Sequence, residues 1–373
     1  MAKRVLITCT DSMMKQFLEP HVINLVENGF EVEIACSEVL NRFKEVREDL
    51  QDYVKINHLS LKRSPLAILH HIKGYKELKK IIRDGHFDLV WTNEPVMGVI
   101  TRLAAGEARK SGTKVLYMVH GFHFYKGASP VNWMLYYPIE WMMAPKADCI
   151  CTVNKEDYHR AKKMKVAEVR YIHGVGIDVS RLRENGETDI RKELCLDKNA
   201  FIVVSVGELN KNKNQQVIMR AIAKLKDKNI HYLLCGKGSQ RKKLVKLSKK
   251  LKIDDRVHFL GYRKDVVDIC SQADMFAMPS KREGLPVASL EAMYCGLPLV
   301  TSNIRGLSDI TADGVTGYTF KPDDINGFAE GIRRIESDPD LRMAMKARNR
   351  QRTARYRLDN TKKEIMEIVR QLI

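Results

Sequence analysis

The chain has 373 residues, 44% of them hydrophobic and 29% charged. That is too long for one ordinary core and suits two globular domains of roughly 150 to 200 residues each, which excludes a small stapled scaffold, a disordered chain and an integral membrane protein. The formal net charge of +18 points to an anionic partner, either a surface or a small molecule. The excess is uneven, +5 over residues 1–180 and +13 over residues 181–373. The eight cysteines (Cys9, Cys36, Cys149, Cys151, Cys195, Cys235, Cys270, Cys295) are dispersed, with no C-x-x-C pair. Buried free thiols in a reducing compartment are expected. Met1-Ala-Lys-Arg4 runs directly into a short strand, so a cytosolic protein without a signal peptide is expected.

In chain order, short β-branched or apolar runs alternate with longer helical patterns, the rhythm of βαβ units and a parallel sheet. Strands are expected near Val5–Thr8, Glu31–Cys36, Asp88–Thr92, Lys114–Val119, Cys149–Val153 and Val169–Ile172. Between them, Leu66–Ile82 reads as a helix with Ile68, Leu69, Ile72, Tyr75 and Ile82 at helical spacing. From Gly174 to Lys198 the chain is polar and lacks strand signal, as a linker would be. A second series follows at Ile202–Val206, His231–Cys235, Val257–Leu260, Met275–Met278, Leu299–Ser302 and Tyr318–Phe320, and the last 50 residues are helical and charged. The expected fold is therefore α/β, two Rossmann-like doubly wound domains facing each other across a cleft.

Open parallel sheets bind ligands beyond the carboxyl ends of their strands. Four such loops are unusually polar or Gly-rich: His120–Gly127, Gly207–Asn214, Gly236–Ser239 and Pro279–Pro286, the last leading into a helix that carries Glu291. Gly284 lets backbone approach a ligand, and Pro286 suits the start of a helix whose positive end favours a diphosphate. Glu283 and Glu291 could accept hydrogen bonds from sugar or ribose hydroxyls; equally, a first-turn acid and a solvated helix residue give the same spacing. Lys213, with Lys211 and Asn214 beside it, is a natural phosphate ligand or part of a solvated lysine run. Gly236-Lys237-Gly238 is an anion loop or a tight turn.

His120 and His123 lack a third ligand, so a metal site is not expected, whereas a general acid/base or hydroxyl-binding role for His120 is. Asp338-Pro339-Asp340 reads as helix punctuation rather than a Mg²⁺ site. Trp133–Met143 packs four aromatics and three methionines into eleven residues, which suits a core or a lipid interface. The helix Gln240–Lys252 sets Leu244, Leu247 and Leu251 on one face and Arg241, Lys242, Lys243, Lys246, Lys249 and Lys250 elsewhere, suited to solvent or to anionic lipid.

Taken together, Ser280-Lys-Arg-Glu283-Gly-Leu-Pro-Val-Ala-Ser-Leu-Glu291-Ala-Met-Tyr-Cys-Gly296-Leu-Pro298 resembles the E-x7-E segment of the retaining family 4 glycosyltransferases, which have the GT-B fold. Lys114–Gly127, Val153–Tyr158 and Gly207–Asn214 resemble the EpsD-type branch of that family, associated with bacterial exopolysaccharide and capsule assembly. The likeness covers nearly the whole chain. It implies an acceptor domain over residues 1–175, a nucleotide-sugar domain over 176–355, and a helix over 356–373 packing back toward the first. It also implies transfer from a nucleotide sugar, UDP-linked by the family's habit, to a lipid-linked glycan. No metal and no cofactor are implied.

By position, Lys213 would hold the diphosphate, Glu283 with the backbone of Gly284, Leu285, Pro286 and Val287 the sugar and phosphate, and Glu291 the ribose. Gly207, Lys211, Gly236, Lys237 and Tyr262 complete the donor side. His120 and Glu283 would be catalytic, and Lys15, Asn93, Glu94, His123 and Lys126 fall on the acceptor side. The chain departs from the family's pattern at three places. Gly207-Glu208 stands where many members carry Gly-Arg, Asn93-Glu94-Pro95 where several carry His-Thr-Pro, and Thr10–Lys15 where paired glycines are common.

Peripheral contact with an anionic membrane surface at the inner face of the plasma membrane is expected from the basic, aromatic-bearing surface. Within the same fold a sugar-nucleotide epimerase or hydrolase is the alternative. The +18 charge also allows a nucleic-acid binder, against which no nucleic-acid module and no alternation of lysines with stacking aromatics is found.

Overall fold

The computed structural model describes residues 2–10, 15–37, 54–62, 66–182, 186 and 188–373, without the side chains of residues 15 and 16. It divides into two compact units, Met1–Val175 with Asp359–Ile373, and Gly176–Leu358. The first is built on a seven-stranded sheet: β1 Arg4–Cys9, β2 Glu31–Ser37, β3 Lys55–Leu59, β4 Leu89–Asn93, β5 Lys114–Val119, β6 Cys149–Thr152 and β7 Glu168–Tyr171, in the order β3-β2-β1-β4-β5-β6-β7. Every pairing is parallel, with β1 between β2 (Val5 opposite Val32) and β4 (Val5 opposite Leu89). The five inner strands β2, β1, β4, β5 and β6 are largely buried because helices cover both faces. The chain therefore reverses its strand order between β1 and β4, and the loops after those strands part to leave a crevice.

β3 is absent from the sequence reading. Its residues Lys-Ile-Asn-His-Leu bury only Leu59 fully, since the strand lies at the sheet edge and needs one apolar face at most. The helix Ile68–Gly85 forms, but it buries Gly74, Leu78 and Ile82, whereas Ile68, Leu69 and Ile72 face outward. The last helix, Leu358–Leu372, buries Ile365, Met366, Ile368 and Val369. Glu364 ties it to the first unit by accepting from the His173 backbone N–H (3.0 Å), as does Arg370, which donates to Asn28 (2.9 Å).

The second unit carries β8 Phe201–Val206, β9 Ile230–Cys235, β10 Val257–Gly261, β11 Met275–Met278, β12 Leu299–Ser302 and β13 Gly317–Phe320, ordered β10-β9-β8-β11-β12-β13 and again all parallel. Its reversal lies between β8 and β11. Apolar clusters on the two sheet faces include Val203, Leu234 and Val300 on one side and Val204, Leu233 and Leu299 on the other, the alternation a doubly covered sheet requires.

Part of the expected linker Gly174–Lys198 is structured. Ile177 bridges to Arg357, and Asp189 caps the short helix Ile190–Glu193 by accepting from the Lys192 N–H (3.0 Å). Ile190 is fully buried and its N–H donates to Gln272 (3.0 Å). Local polarity concealed an apolar anchor. Among the described residues none of the eight cysteines forms a disulfide; seven are buried and Cys195 is exposed. No helix among those residues is long and apolar enough to cross a membrane.

Candidate active site

In the second unit, the loops after the two strands that flank the reversal are joined. The Lys281 N–H donates to the Asn212 carbonyl (2.8 Å), and the Asn212 side chain donates to the Arg282 carbonyl (2.9 Å). Buried Asn214, at φ +55°, fixes the β8 loop by donating to the Pro322 carbonyl (2.9 Å). Asn210 accepts from the Lys213 N–H (2.9 Å), a cap at the turn before the helix Gln216–Leu225. With both loops pinned, the Lys213 ammonium meets the Glu283 carboxylate at 2.8 Å, the two side chains 20% and 12% exposed. A cation and an acid are thus held together in the crevice, where their charges are screened less than at the surface.

Glu291 lies eight residues beyond Glu283, on the helix Val287–Tyr294 that starts after Pro286. Burial pushes its carboxyl above the usual carboxylate range, and among the described residues it has no hydrogen-bond or ion-pair partner. A half-buried acid left unsatisfied by the protein suits hydroxyl donors from a ligand.

The sequence gives no motif for Arg305, a residue only 7% exposed in the loop after β12. Its Nε donates to the Glu283 carbonyl (3.0 Å), and Gly306, at φ +73°, lets that loop pass so close that a Cβ would sit 1.9 Å from the Gly284 oxygen. Arg305 therefore supports the Glu283–Gly284 backbone with a second cation.

Gly207 and Gly236 bring the ends of β8 and β9 together, the Gly207 N–H donating to the Cys235 carbonyl and the Leu209 N–H to the Lys237 carbonyl (both 2.9 Å). Lys237 and Tyr262 are exposed, Tyr262 at 70%, at the ends of β9 and β10. Lys211 lines a different cavity, of about 440 Å³, together with Arg220, Lys243 and Lys281; neither Lys213 nor Glu283 is among its lining residues. In the helix Arg241–Leu251, Leu244 is buried and Leu247 and Leu251 pack on the core, so its apolar stripe is fully used.

The first unit has its own polar cluster at its reversal. Buried Asn93 donates through Nδ2 to the Thr8 carbonyl (3.3 Å), which can only accept, so Oδ1 faces His120 Nε2 at 3.1 Å. His120 Nε2 is thereby the protonated nitrogen and Nδ1 carries the lone pair. Desolvation, reinforced by nearby His21, lowers His120 to about 4. The imidazole is neutral at physiological pH and can accept a proton or a hydroxyl hydrogen bond.

His21, unremarked in the sequence, is itself buried, lowered to about 4 by burial, and bonded to the Val175 carbonyl at 2.9 Å. Glu94 adopts φ +66° at the start of the helix Pro95–Ala104 and accepts from the Thr10 N–H (2.8 Å). That conformation costs a non-glycine residue energy, and the bond across the reversal holds it. The His120 loop is fixed by Asp157, which accepts from the Phe122 N–H (3.1 Å), and by Glu156, which accepts from the Lys126 N–H (2.7 Å). His123 stacks at 4.6 Å from Tyr136. Lys15 opens the helix Lys15–Glu27, but its side chain, like residues 11–14, lies outside the described residues.

Among the described residues no group of three or more His, Cys, Asp or Glu side chains is placed to hold a metal ion. Asp338 caps the helix Pro339–Thr353, accepting from the Leu341 N–H (2.9 Å).

The family model for Glycosyltransferase Family 4 matches residues 21–181, and that for Glycosyl transferases group 1 matches residues 186–352. Over 376 residues, covering 99% of this chain and 96% of the relative, the sequence is 33% identical to the Bacillus subtilis (strain 168) protein named glycosyltransferase EpsD. The chain belongs to the family 4 glycosyltransferases. This glycosyltransferase is also 25% identical, over 86% of its length and 84% of the relative's, to an Escherichia coli UDP-Gal:alpha-D-GlcNAc-diphosphoundecaprenol alpha-1,3-galactosyltransferase. Its GT-B fold is shared with Anabaena HepE solved in complex with UDP, at a TM-score of 0.82 and 18% identity over 99% of this glycosyltransferase and 100% of HepE.

Proposed function

We propose that this glycosyltransferase retains anomeric configuration and moves a hexosyl or N-acetylhexosaminyl group from a UDP-sugar to a lipid-linked glycan. The setting is bacterial exopolysaccharide, capsule or cell-envelope polysaccharide synthesis at the inner face of the plasma membrane. No metal and no cofactor take part. The observation that carries the reading is the Lys213–Glu283 pair at the β8/β11 reversal, with the Glu291 carboxylate, without a partner among the described residues, eight residues on. A nucleotide sugar offers the matching groups: a diphosphate for Lys213 and the helix start at Val287, sugar hydroxyls for Glu283, and ribose hydroxyls for Glu291. Glu283 releases Lys213 to the phosphate as it turns to the sugar. Support also comes from the UDP-sugar and diphosphoundecaprenol acceptor in one relative's name and from the UDP bound to HepE.

In the proposed reaction the acceptor hydroxyl attacks the anomeric carbon on the face that the diphosphate leaves. The carbon–oxygen bond to the diphosphate breaks with its electron pair, and the hydroxyl proton passes to the departing phosphate oxygen. Lys213 stabilises the charge that builds there. Residues 1–175 receive the acceptor, with neutral His120 as hydroxyl acceptor and Asn93 setting its tautomer. A thermal-shift screen of nucleotides and nucleotide sugars tests the donor assignment. A bound donor at a hundredfold excess over Kd stabilises by about 2.7 kcal/mol, and Lys213→Ala should abolish the shift. A shift by no uridine nucleotide would sink the UDP assignment.

A further inference from the structure

The helix Pro130–Met143 is built inside out. Its one charged residue, Glu140, is buried, paired with fully buried Arg102 at 2.8 Å and accepting from the Tyr117 hydroxyl at 2.9 Å. Val131, Met134, Leu135, Pro138, Trp141 and Met142 are exposed, and at 100° per residue they form one continuous outward ridge. Water alone does not select this arrangement. An ordinary surface helix turns its charges out and its apolar stripe in.

A second apolar surface lies nearby. The helix Ile68–Gly85 packs on Pro95–Ala104, which packs on Pro130–Met143, and Leu103 on the middle helix is also exposed. On the outer face of Ile68–Gly85, Ile68, Leu69 and Ile72 occupy the first two turns with Leu66 just before them, and Lys73, Lys76 and Lys80 follow on the same face. Among the described residues its acids leave Lys76 and Lys80 without an ion pair on this face: Glu77 accepts from Ser60 (2.7 Å) and faces only Lys73, at 4.0 Å, and Asp84 pairs with Arg83 at the far end (2.8 Å). Apolar turns followed by lysines are the pattern of a segment that dips into a bilayer interface and keeps its cations at anionic headgroups.

Each of the three helices leaves the carboxyl end of a parallel strand (β3, β4 or β5) and returns antiparallel to it. Their first turns therefore lie at the edge that carries Asn93, Glu94 and His120.

We propose that this helical face of the first unit is a docking surface for an anionic lipid bilayer, which sets the acceptor-side cluster beside the membrane carrying a lipid-linked acceptor. The role as acceptor platform rests on the function proposed above; the docking itself does not. The basic helix Arg241–Leu251 is not part of the surface, because its leucines are packed inward.

The test is flotation of the full chain with phosphatidylglycerol–phosphatidylcholine vesicles and with phosphatidylcholine vesicles alone. Wild type should float with the anionic vesicles, less so in high salt, and the fluorescence of the exposed Trp141 should be quenched by brominated acyl chains. Ile68→Glu/Ile72→Glu and Met134→Glu/Met142→Glu, all at exposed positions that tolerate charge, should each lower partitioning more than tenfold. Three results would overturn the proposal: no flotation of wild type, unchanged flotation of both variants, or a self-associated wild type that the same substitutions make monomeric without any effect on vesicles. Transfer to a short-chain acceptor in detergent, assayed in parallel, should be equal for wild type and both variants. A wild type that floats but transfers to no lipid-linked acceptor would contradict the acceptor reading and leave the docking surface standing.

Discussion

Glu291→Gln separates ligand binding from folding. In the free protein the Glu291 carboxylate is half-buried, desolvated and without a partner among the described residues, and its carboxyl lies above its ordinary range. At neutral pH its charge therefore opposes folding, and the neutral amide removes that opposition. The variant should be at least as stable as wild type at pH 7. The two proteins should converge as pH falls through the carboxylate range and Glu291 itself is protonated. Binding should move the other way. Two ribose hydroxyls on a carboxylate make charge-assisted hydrogen bonds; glutamine keeps one oxygen and no charge, a loss of about 2 kcal/mol or roughly thirtyfold in Kd. Calorimetric titration with UDP and denaturant unfolding at pH 7 and pH 4.5 give both quantities. Because the ribose is remote from the broken bond, KM should rise while kcat changes little. Unchanged UDP affinity would rule out ribose binding at Glu291, and a variant clearly less stable at pH 7 would rule out an unfavourable buried charge there.

Stability should be level above pH 6.5 and fall between there and pH 4, because His21 and His120, each lowered to about 4, resist the protons that the unfolded chain accepts. Each contributes a slope of about 1.4 kcal/mol per pH unit in that window, and urea unfolding of His120→Asn should show a shallower decline. Arg102→Leu strands Glu140 in the core and should cost about 3 to 5 kcal/mol, whereas Arg102→Leu/Glu140→Leu should recover most of it; the comparison is read from denaturant midpoints. Arg305→Ala removes the support of the Glu283 carbonyl and should lower kcat/KM by tenfold or more, with little change in Tm if the Lys281–Asn212 bond keeps the loop in place.

Most of the scaffold was legible because a doubly covered parallel sheet writes its strands as short apolar runs, and twelve of the thirteen strands stand out that way. β3 did not, since an edge strand such as Lys55–Leu59 needs little apolar surface. Helical spacing shows the helix over Leu66–Ile82, but of the apolar residues that carry the pattern only Tyr75 and Ile82 pack on the core, whereas Ile68, Leu69 and Ile72 face outward. Periodicity shows that residues share a face, and only packing shows whether that face meets core or solvent; here Gly74, Leu78 and Ile82 meet the core. The same limit left Trp133–Met143 between core and lipid. The structure divides it, with Trp133, Tyr136 and Tyr137 against the core and the Met134–Met142 ridge outward. Lys213, Glu283 and Glu291 stand out in the sequence through their strand-end positions and a family-like run. Arg305 and His21 are invisible in the sequence because each is placed by tertiary contacts and belongs to no local pattern. The distance from Lys213 to Glu283 spans 70 residues of chain, which no spacing argument bridges.

In the proposed function, residues 176–358 activate a sugar nucleotide at Lys213 and Glu283 for transfer to a lipid-linked glycan. The most direct measurement is radiolabel transferred from UDP-sugars to a polyprenyl-diphosphate-linked glycan by wild type, Lys213→Ala and Glu283→Gln, each shown to be folded. Wild type should form labelled glycolipid with the donor's anomeric configuration kept, and each variant should be slower by a hundredfold or more, as when a group stabilising transition-state charge is removed. Transfer by either variant at the wild-type rate, or a product of inverted configuration, would contradict the account.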